Sequence, residues 1–325
     1  MPGLLRIGLV IPARDAAPWI GATLASVRAQ SHAAWQAVVV DDGSADATAA
    51  IAAGTGDARI AVIRAAPRGV SAGVSAARNR GLAALFAAPV AAPVAAAGPV
   101  AAVLFLDADD LLAPDALARL AATLAAHPDA VAACGAWAAV TAAGAPLPGR
   151  HKPAGGDVLA RLLCRNLFVN GGQLLIRAEA VRAAGDFRPE LTYAEDWEYW
   201  LRLARRGCFA PVPGRRPVLF VRRRADGACA RASGDPAAFA PALRAGFAAT
   251  DLKDRFGPAR LARLRARMEA ENHWVVGRAL LRRDRRDEGL AWLRRSVAAR
   301  PGARRAVLLA LWHAAPALAA RLAGG

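Results

Sequence analysis

Short apolar runs that stop abruptly, most of them in acid, constrain this chain more than any other feature. Ile7–Ile11 ends at Pro12 and leads to Arg14-Asp15. Ala37–Val40 runs into Asp41-Asp42-Gly43-Ser44, and Val103–Leu106 into Asp107-Ala108-Asp109-Asp110. Apolar runs of four or five residues are too short for buried helices and have the character of buried strands. Ile60–Ile63 reads as a further strand. Helical patterns lie between them: Trp19–Gln30 carries Ile20, Leu24 and Val27 on one face, and Ser75–Phe86 follows Ile60–Ile63. Strands alternating with helices predict a parallel sheet with crossovers. Ligands of such sheets bind outside the carboxyl ends of the strands, so the acidic residues are expected to converge on one rim.

Further along, residues 87–99 are low in complexity, with Pro89, Pro93 and Pro99, and read as a loop. A helix is expected over Pro114–His127, a strand near Val131–Val140, and a second loop over Gly144–Gly156. Gly171-Gly172 leads a strand at Gln173–Arg177. Ala194–Arg206 reads as a helix and Pro217–Val221 as a strand, and after Pro236 the pattern is helical and basic. Asp46 is expected to cap the helix that follows it.

The content of apolar residues, 55%, excludes wholesale disorder. The formal charge is +17, with 43 basic residues, all arginine except Lys152 and Lys253. Residues 1–200 carry 16 basic and 17 acidic residues, and residues 201–325 carry 27 and 9. The excess is therefore confined to the end of the chain. Cys134, Cys164, Cys208 and Cys229 show no close pairing, which argues against a disulfide framework or a zinc site. The N-terminus lacks a signal-peptide layout, and prolines interrupt the longest apolar stretch. A cytoplasmic protein is expected.

Four constellations carry chemistry. Asp107-x-Asp109 at a strand end can share a divalent cation, since hard carboxylate oxygens suit Mg²⁺ or Mn²⁺. A solvated acidic turn is the competing reading, with Asp110 as local support for that turn. Asp41-Asp42-Gly43-Ser44 can accept from a pyrimidine N–H or ribose hydroxyls, or be a plain strand-to-helix turn. Gly69-x-Ser71 through Ser75-Ala76-Ala77-Arg78-Asn79-Arg80-Gly81 can close over a nucleotide, or be a loop and helix with a surface arginine. Glu195-Asp196-Trp197-Glu198-Tyr199-Trp200 offers a carboxylate among aromatics as a general base beside a sugar-sized cleft. Its alternative is an acidic first turn that complements the helix dipole.

In order and spacing these pieces resemble the family 2 glycosyltransferases of the GT-A fold. The resemblance rests on Val10–Asp15, Val39–Asp46, Ser75–Leu82, Phe105–Asp110, Gly171–Arg177 with Gly185-Asp186-Phe187, and Glu195-Asp196-Trp197. It covers about residues 5–230. It implies a Rossmann-like mixed sheet flanked by helices over residues 1–230, followed by a basic helical extension over 231–325. It also implies a nucleotide pocket lined by Pro12, Ala13 and Asp15. Asp42 would meet the base with Asp41 close by, Arg78 the base or diphosphate, and Asp107 the ribose or sugar. Asp109 would hold Mn²⁺ or Mg²⁺, and Asp196 would be the catalytic base of an inverting transfer from a nucleotide-sugar, most often a UDP-sugar. The acceptor would be a saccharide or lipid-linked, in surface polysaccharide or glycoconjugate synthesis. Arg14-Asp15 departs from the aromatic-Asn pair common in the family, and the Gln-x-x-Arg-Trp motif of processive synthases is absent.

Two rivals remain at this stage. A sugar-1-phosphate nucleotidyltransferase shares the fold type but would show a Gly-rich phosphate loop after Ile11. A nucleic-acid binder would explain the pI near 11.4, yet no nucleic-acid motif is present. In the basic end, Arg215-Arg216 and Arg222-Arg223-Arg224 are candidate phosphate contacts or solvated surface. Val276–Pro301 faintly resembles a tetratricopeptide-type helix pair. Ala303–Leu322 suits either peripheral contact with an anionic membrane or packing against neighbouring helices.

Overall fold

The computed structural model describes residues 4–87, 99–224 and 235–314. The chain forms two compact units. One comprises residues up to Val158 together with Phe168–Arg223, and the other comprises Leu159–Leu167 together with Arg224 onward.

The first unit is built on a seven-stranded mixed sheet. Strands β1 (Ile7–Ala13), β2 (Trp35–Asp42), β3 (Ile60–Ala66) and β4 (Ala102–Phe105) are mutually parallel, in the spatial order β4-β1-β2-β3. A short β5 (Leu111–Leu112) follows β4. The expected strand at Val131–Val140 is two strands, β6 (Ala130–Cys134) and β7 (Ala136–Val140), and the chain changes sheet at Gly135. The expected loop at 144–156 contains strand β8 (Pro146–His151). Gly171–Gln173 forms a 3₁₀ turn before β9 (Leu174–Arg177), which lies antiparallel between β4 and β6. Strand β10 (Cys208–Pro211) completes the large sheet, and β11 (Pro217–Arg222) joins β5, β7 and β8 in a second, four-stranded sheet. The parallel expectation thus holds for the first half, and an antiparallel strand makes the whole sheet mixed. The expected loop at 87–99 falls at 88–98 outside the described residues.

Helix α1 (Ala17–Arg28) buries Ile20, Leu24 and Val27 as its spacing predicts. They pack with Ile7, Leu9 and Ile11 of β1, and each such side chain removed from water contributes about 1.5–3 kcal/mol. A short α2 (Thr48–Ala53) follows β2. Helix α3 (Val74–Ala87) lies tight on the sheet at Gly81, where a Cβ would come 2.5 Å from Val10 Cγ1. Helix α4 (Ala116–Ala126) buries Leu117, Leu120 and Leu124 in the same core.

In the second unit, α5 (Leu159–Leu162) buries Leu159 and Leu162. Helix α6 (Ala178–Ala184) and helix α7 (Glu195–Ala204) belong to the first unit. After α8 (Pro236–Phe247) and α9 (Asp251–Phe256), the long α10 (Pro258–Leu281) pairs with α11 (Arg286–Ala299), and α12 (Ala303–Ala314) follows. Trp274, Leu290, Leu293, Leu308 and Trp312 form a local core. The apolar side of α12 is thereby engaged by packing at Leu308 and Trp312, and residues beyond 314 lie outside the described ones. Among the described residues, no helix is long and apolar enough to cross a membrane.

Candidate active site

Parallel pairing brings the ends of β1 and β2 to one rim, with Pro12 beside Val40 and Ala13 beside Asp41. Asp15 lies just beyond β1 in a left-handed conformation, φ 45°. Its carboxylate accepts from the Ala45 N–H at 2.8 Å, and its own N–H donates to Ser44 Oγ at 3.1 Å. The turns after β1 and β2 are therefore laced together. Asp46 serves two helices: it accepts from the Thr48 N–H at 2.9 Å and from the Ala17 N–H at 3.0 Å.

Asp41 is buried, accepts from the Ser44 N–H at 3.1 Å and has Arg64 at 3.7 Å. Asp42 is also buried. It receives the Ala72 N–H at 2.8 Å, the Gly73 N–H at 3.1 Å and the Ser71 hydroxyl. Its carboxylate thus anchors the loop that leads into α3. Gly43 permits the fold-over, because its φ is 73° and a Cβ would lie 1.9 Å from the Val70 carbonyl oxygen.

The loop delivers Arg78 to the second part of the site. Arg78 is buried; its Nη1 donates to Glu195 at 2.8 Å and its Nη2 to Asp107 at 3.3 Å. Burial disfavours its charge, but Glu195, Asp107 and Asp196 outweigh that and hold the guanidinium pKa above its usual range. The next residue, Asn79, exchanges two 2.8 Å hydrogen bonds with the backbone of Phe187. Phe187 stacks on Tyr199 at 3.9 Å between ring centroids. The aromatic residues of α7 do not line a cleft: Trp197, Tyr199 and Trp200 are core side chains that anchor the helix.

Asp196 is half-buried in the first turn of α7 and accepts from the Trp197 N–H at 2.6 Å. Burial and the neighbouring Glu195 carboxylate push its pKa up to about 7, against the opposing pull of Arg78. Ala194, just before the helix, is left-handed at φ 58°. A non-glycine residue there costs on the order of 1–3 kcal/mol, and the bend turns the chain sharply into α7 immediately before Glu195 and Asp196.

Asn170 is a site residue that sequence reasoning missed. Its Nδ2 donates to Asp107 at 3.0 Å and to Asp110 at 2.6 Å, while its Oδ1 accepts from the Gly172 N–H at 2.9 Å. Asp110 also takes the Arg222 N–H at 2.9 Å. Burial, with Asp107 and Asp109 nearby, raises the Asp110 pKa well above the usual carboxylate range. Arg222 is itself held by the Asp109 carbonyl at 2.8 Å, so its role is to brace this turn. Arg216 pairs with Asp115 at 3.0 Å.

The donor set fits a divalent cation of the oxygen-loving kind. Among the described residues, no three His, Cys, Asp or Glu side chains come together so as to hold a metal ion by themselves. Asp107 has one oxygen on Arg78 and the other on Asn170, while Asp109 is half-buried beside it. One carboxylate on an open rim suits an ion that takes its other ligands from phosphate oxygens and water.

Asp107, Arg78, Asn170, Asp110, Glu195 and Asp196 are thus one linked cluster, with Asp109 adjoining. Asp15, Asp41, Asp42 and Ser44 form a second cluster on the same rim. Helix α3 joins them, since Asp42 holds the loop at its start and Arg78 projects from its second turn.

Solved structures share this architecture. TarS 1–349 of S. aureus in complex with UDP-GlcNAc is 17% identical at a TM-score of 0.63, over 97% of this chain and 89% of that one. Its complex with UDP gives 16%, 0.60, 91% and 81%. Mannosyltransferase PcManGT from Pyrobaculum calidifontis in complex with GDP-Man and Mn²⁺ gives 20%, 0.54, 95% and 79%. At these identities the likeness is one of fold, and it bears out the expected GT-A architecture. No curated protein matches the chain by sequence. The family model for glycosyl transferase family 2 matches residues 9–181, more than half the chain, from β1 into α6. That span takes in the aspartates closing β2 and β4, together with Arg78, and the chain belongs to glycosyl transferase family 2.

Proposed function

We propose that the protein is an inverting glycosyltransferase that moves a sugar from a nucleotide-diphospho-sugar, a UDP-sugar first, to an acceptor hydroxyl. The single observation that carries this reading is Asp196: a half-buried carboxylate with its pKa near 7, one residue from the Glu195–Arg78–Asp107 network. A base poised near neutrality accepts a proton from an attacking hydroxyl more effectively than an ordinary aspartate does. A single displacement needs one base and no covalent nucleophile.

In this reading Pro12, Ala13, Asp15, Asp41 and Asp42 form the wall for the nucleoside. Asp42 would release the 71–73 loop, or share its donors, when a base arrives. Arg78 balances the diphosphate side, and Asp107 is fixed by Arg78 and Asn170 to meet the ribose or sugar. Asp109 would hold Mn²⁺ or Mg²⁺, which when bound supplies positive charge to the leaving diphosphate. A saccharide or lipid-linked acceptor in bacterial surface polysaccharide or glycoconjugate synthesis fits the family, and peripheral membrane contact is part of the same proposal.

A thermal-shift panel of UDP-, GDP-, dTDP- and CMP-sugars, with and without Mn²⁺, tests the donor. A rise with a UDP-sugar that needs Mn²⁺ and disappears in Asp109→Ala is expected. A rise that ignores both metal and nucleotide would refute the assignment. Asp196→Asn should lower transfer by about 10²–10⁴-fold while leaving nucleotide affinity near wild type, and anomeric inversion is read by NMR of the product.

A further inference from the structure

Asp42 is the acid that the proposed reading sets against the base, yet its carboxylate is already occupied. Oδ1 receives the Ala72 N–H at 2.8 Å, and Oδ2 receives the Gly73 N–H at 3.1 Å together with the Ser71 hydroxyl. The Gly73 N–H is shared with Ser71 Oγ at 3.1 Å, so Ser71 lies between the two. An ionised carboxylate offers about four acceptor positions, and three are filled here. The residue is only 4% exposed. A base cannot bring an N–H to this carboxylate while residues 71–73 stay where they are.

The segment that occupies Asp42 has the means to move. Pro67–Gly73 is exposed at every residue. Its leading end is tied down: the Gly69 N–H donates to the Gly43 carbonyl at 2.8 Å, and the Arg68 side chain donates to the Ala45 carbonyl. Its trailing end enters α3, where the Ala77 N–H donates to the Gly73 carbonyl at 3.0 Å. Between these ties, the donors that hold residues 71–73 to the end of β2 all go to Asp42. Apolar packing adds little, since Val70 is 55% exposed. Gly69 and Gly73 bracket the stretch at φ 81° and 91°, and a Cβ on either would meet nothing within 4 Å. Glycines in open space absorb a change of backbone angles at small steric cost. An exposed segment with few buried apolar contacts belongs to the low end of local stability.

We infer that residues 70–73 are a strap latched onto Asp42, and that Ser71 sets nucleotide affinity by competing with the base for that carboxylate. The inference rests on the nucleotide-sugar reading above and adds to it a competitor within the chain. The group that displaces the strap is a ring N–H of the kind that uracil, thymine and guanine carry and cytosine lacks. When such a base takes Asp42, the strap gives up its three hydrogen bonds and swings out. Apparent affinity is then the intrinsic affinity reduced by the fraction of molecules in which the strap is open.

The test uses the full chain. Amide hydrogen exchange is followed by NMR, and UDP binding in the presence of Mn²⁺ by calorimetry and stopped flow. In the free protein, Ser71→Ala and Asp42→Asn should each speed exchange at Ala72 and Gly73 on the order of tenfold, the factor carried by one hydrogen bond to a charged group, with the β2 amides unchanged. UDP should then part the two variants. Ser71→Ala should bind it about tenfold more tightly, through faster association. Asp42→Asn should bind it more weakly, because the base has lost its acceptor. Ser71→Thr keeps the hydroxyl and should match wild type in both measurements. Saturating UDP should itself speed exchange at Ala72 and Gly73 in wild type, the reverse of ordinary protection by a ligand.

UDP binding of wild-type strength and rate in Ser71→Ala overturns the latch and leaves the donor reading standing. Slower exchange at Ala72 and Gly73 in the UDP complex does the same. No binding of UDP, dTDP or GDP to either wild type or Ser71→Ala refutes the nucleotide reading itself, and the latch falls with it. Circular dichroism reports whether each variant folds. Should Asp42→Asn not fold, the contrast between Ser71→Ala and Ser71→Thr, both at an exposed position, decides the outcome.

Discussion

Asp196 is the residue whose surroundings most alter its chemistry. Its carboxylate must be ionised to accept a proton, so kcat/KM should rise with slope one up to about pH 7 and level off above, because that ratio reports the free enzyme. The same shift has a cost for folding. Between about pH 4 and 7 the folded chain holds a proton there that the unfolded chain has released, so this residue's contribution to stability falls as pH rises through that window. Asp196→Asn should therefore raise the melting temperature relative to wild type at pH 8 and leave it unchanged near pH 4. A scan at the two pH values decides this, and a rise of equal size at both would contradict it. Arg78 is the opposite case. Arg78→Met leaves Glu195 and Asp107 without their cation and should cost on the order of 3 kcal/mol in urea unfolding.

At the scale of elements, α3 sets the geometry, because it carries Arg78 and Asn79 and approaches the sheet through Gly81. Gly81→Ala sets a methyl against Val10, a stiff β-branched neighbour, and should destabilise by about 1–3 kcal/mol. Arg78 would shift with the helix, so activity should fall more than the loss of stability accounts for; kinetics well below the melting temperature separate the two. The β1, β2 and β4 termini were legible in the sequence because a buried strand must stop where charge begins. Asn170 was not legible. Its partners Asp107 and Asp110 are about sixty residues away, and an asparagine before Gly171-Gly172 has the look of a turn. Strand β8 was hidden by Pro146, Pro148 and Gly149, residues that an edge strand tolerates because one side of it makes no ladder. The break at Gly135 was hidden because β6 and β7 are both apolar, and only the three-dimensional pairing assigns them to different sheets. The aromatics of α7 misled for a related reason, since the residue types that stack on sugars also fill cores.

For the whole molecule, charge and fold divide the chain differently. The positive excess begins near residue 201, while the second unit takes up Leu159–Leu167 and then resumes at Arg224. Leu159, Leu162 and Leu163 within that excursion are buried. A chain cut after Arg223 should consequently be less soluble and melt lower than the full chain, and the melting temperature of such a fragment is a direct check. The same nine-residue detour restricts how this protein can be remodelled by recombination. A replacement tail grafted at residue 224 would meet a sequence in the middle of the host written to match the old one. The C-terminal helices cannot behave as an interchangeable cassette, and any lineage that exchanged them would have to rewrite an internal passage at the same time.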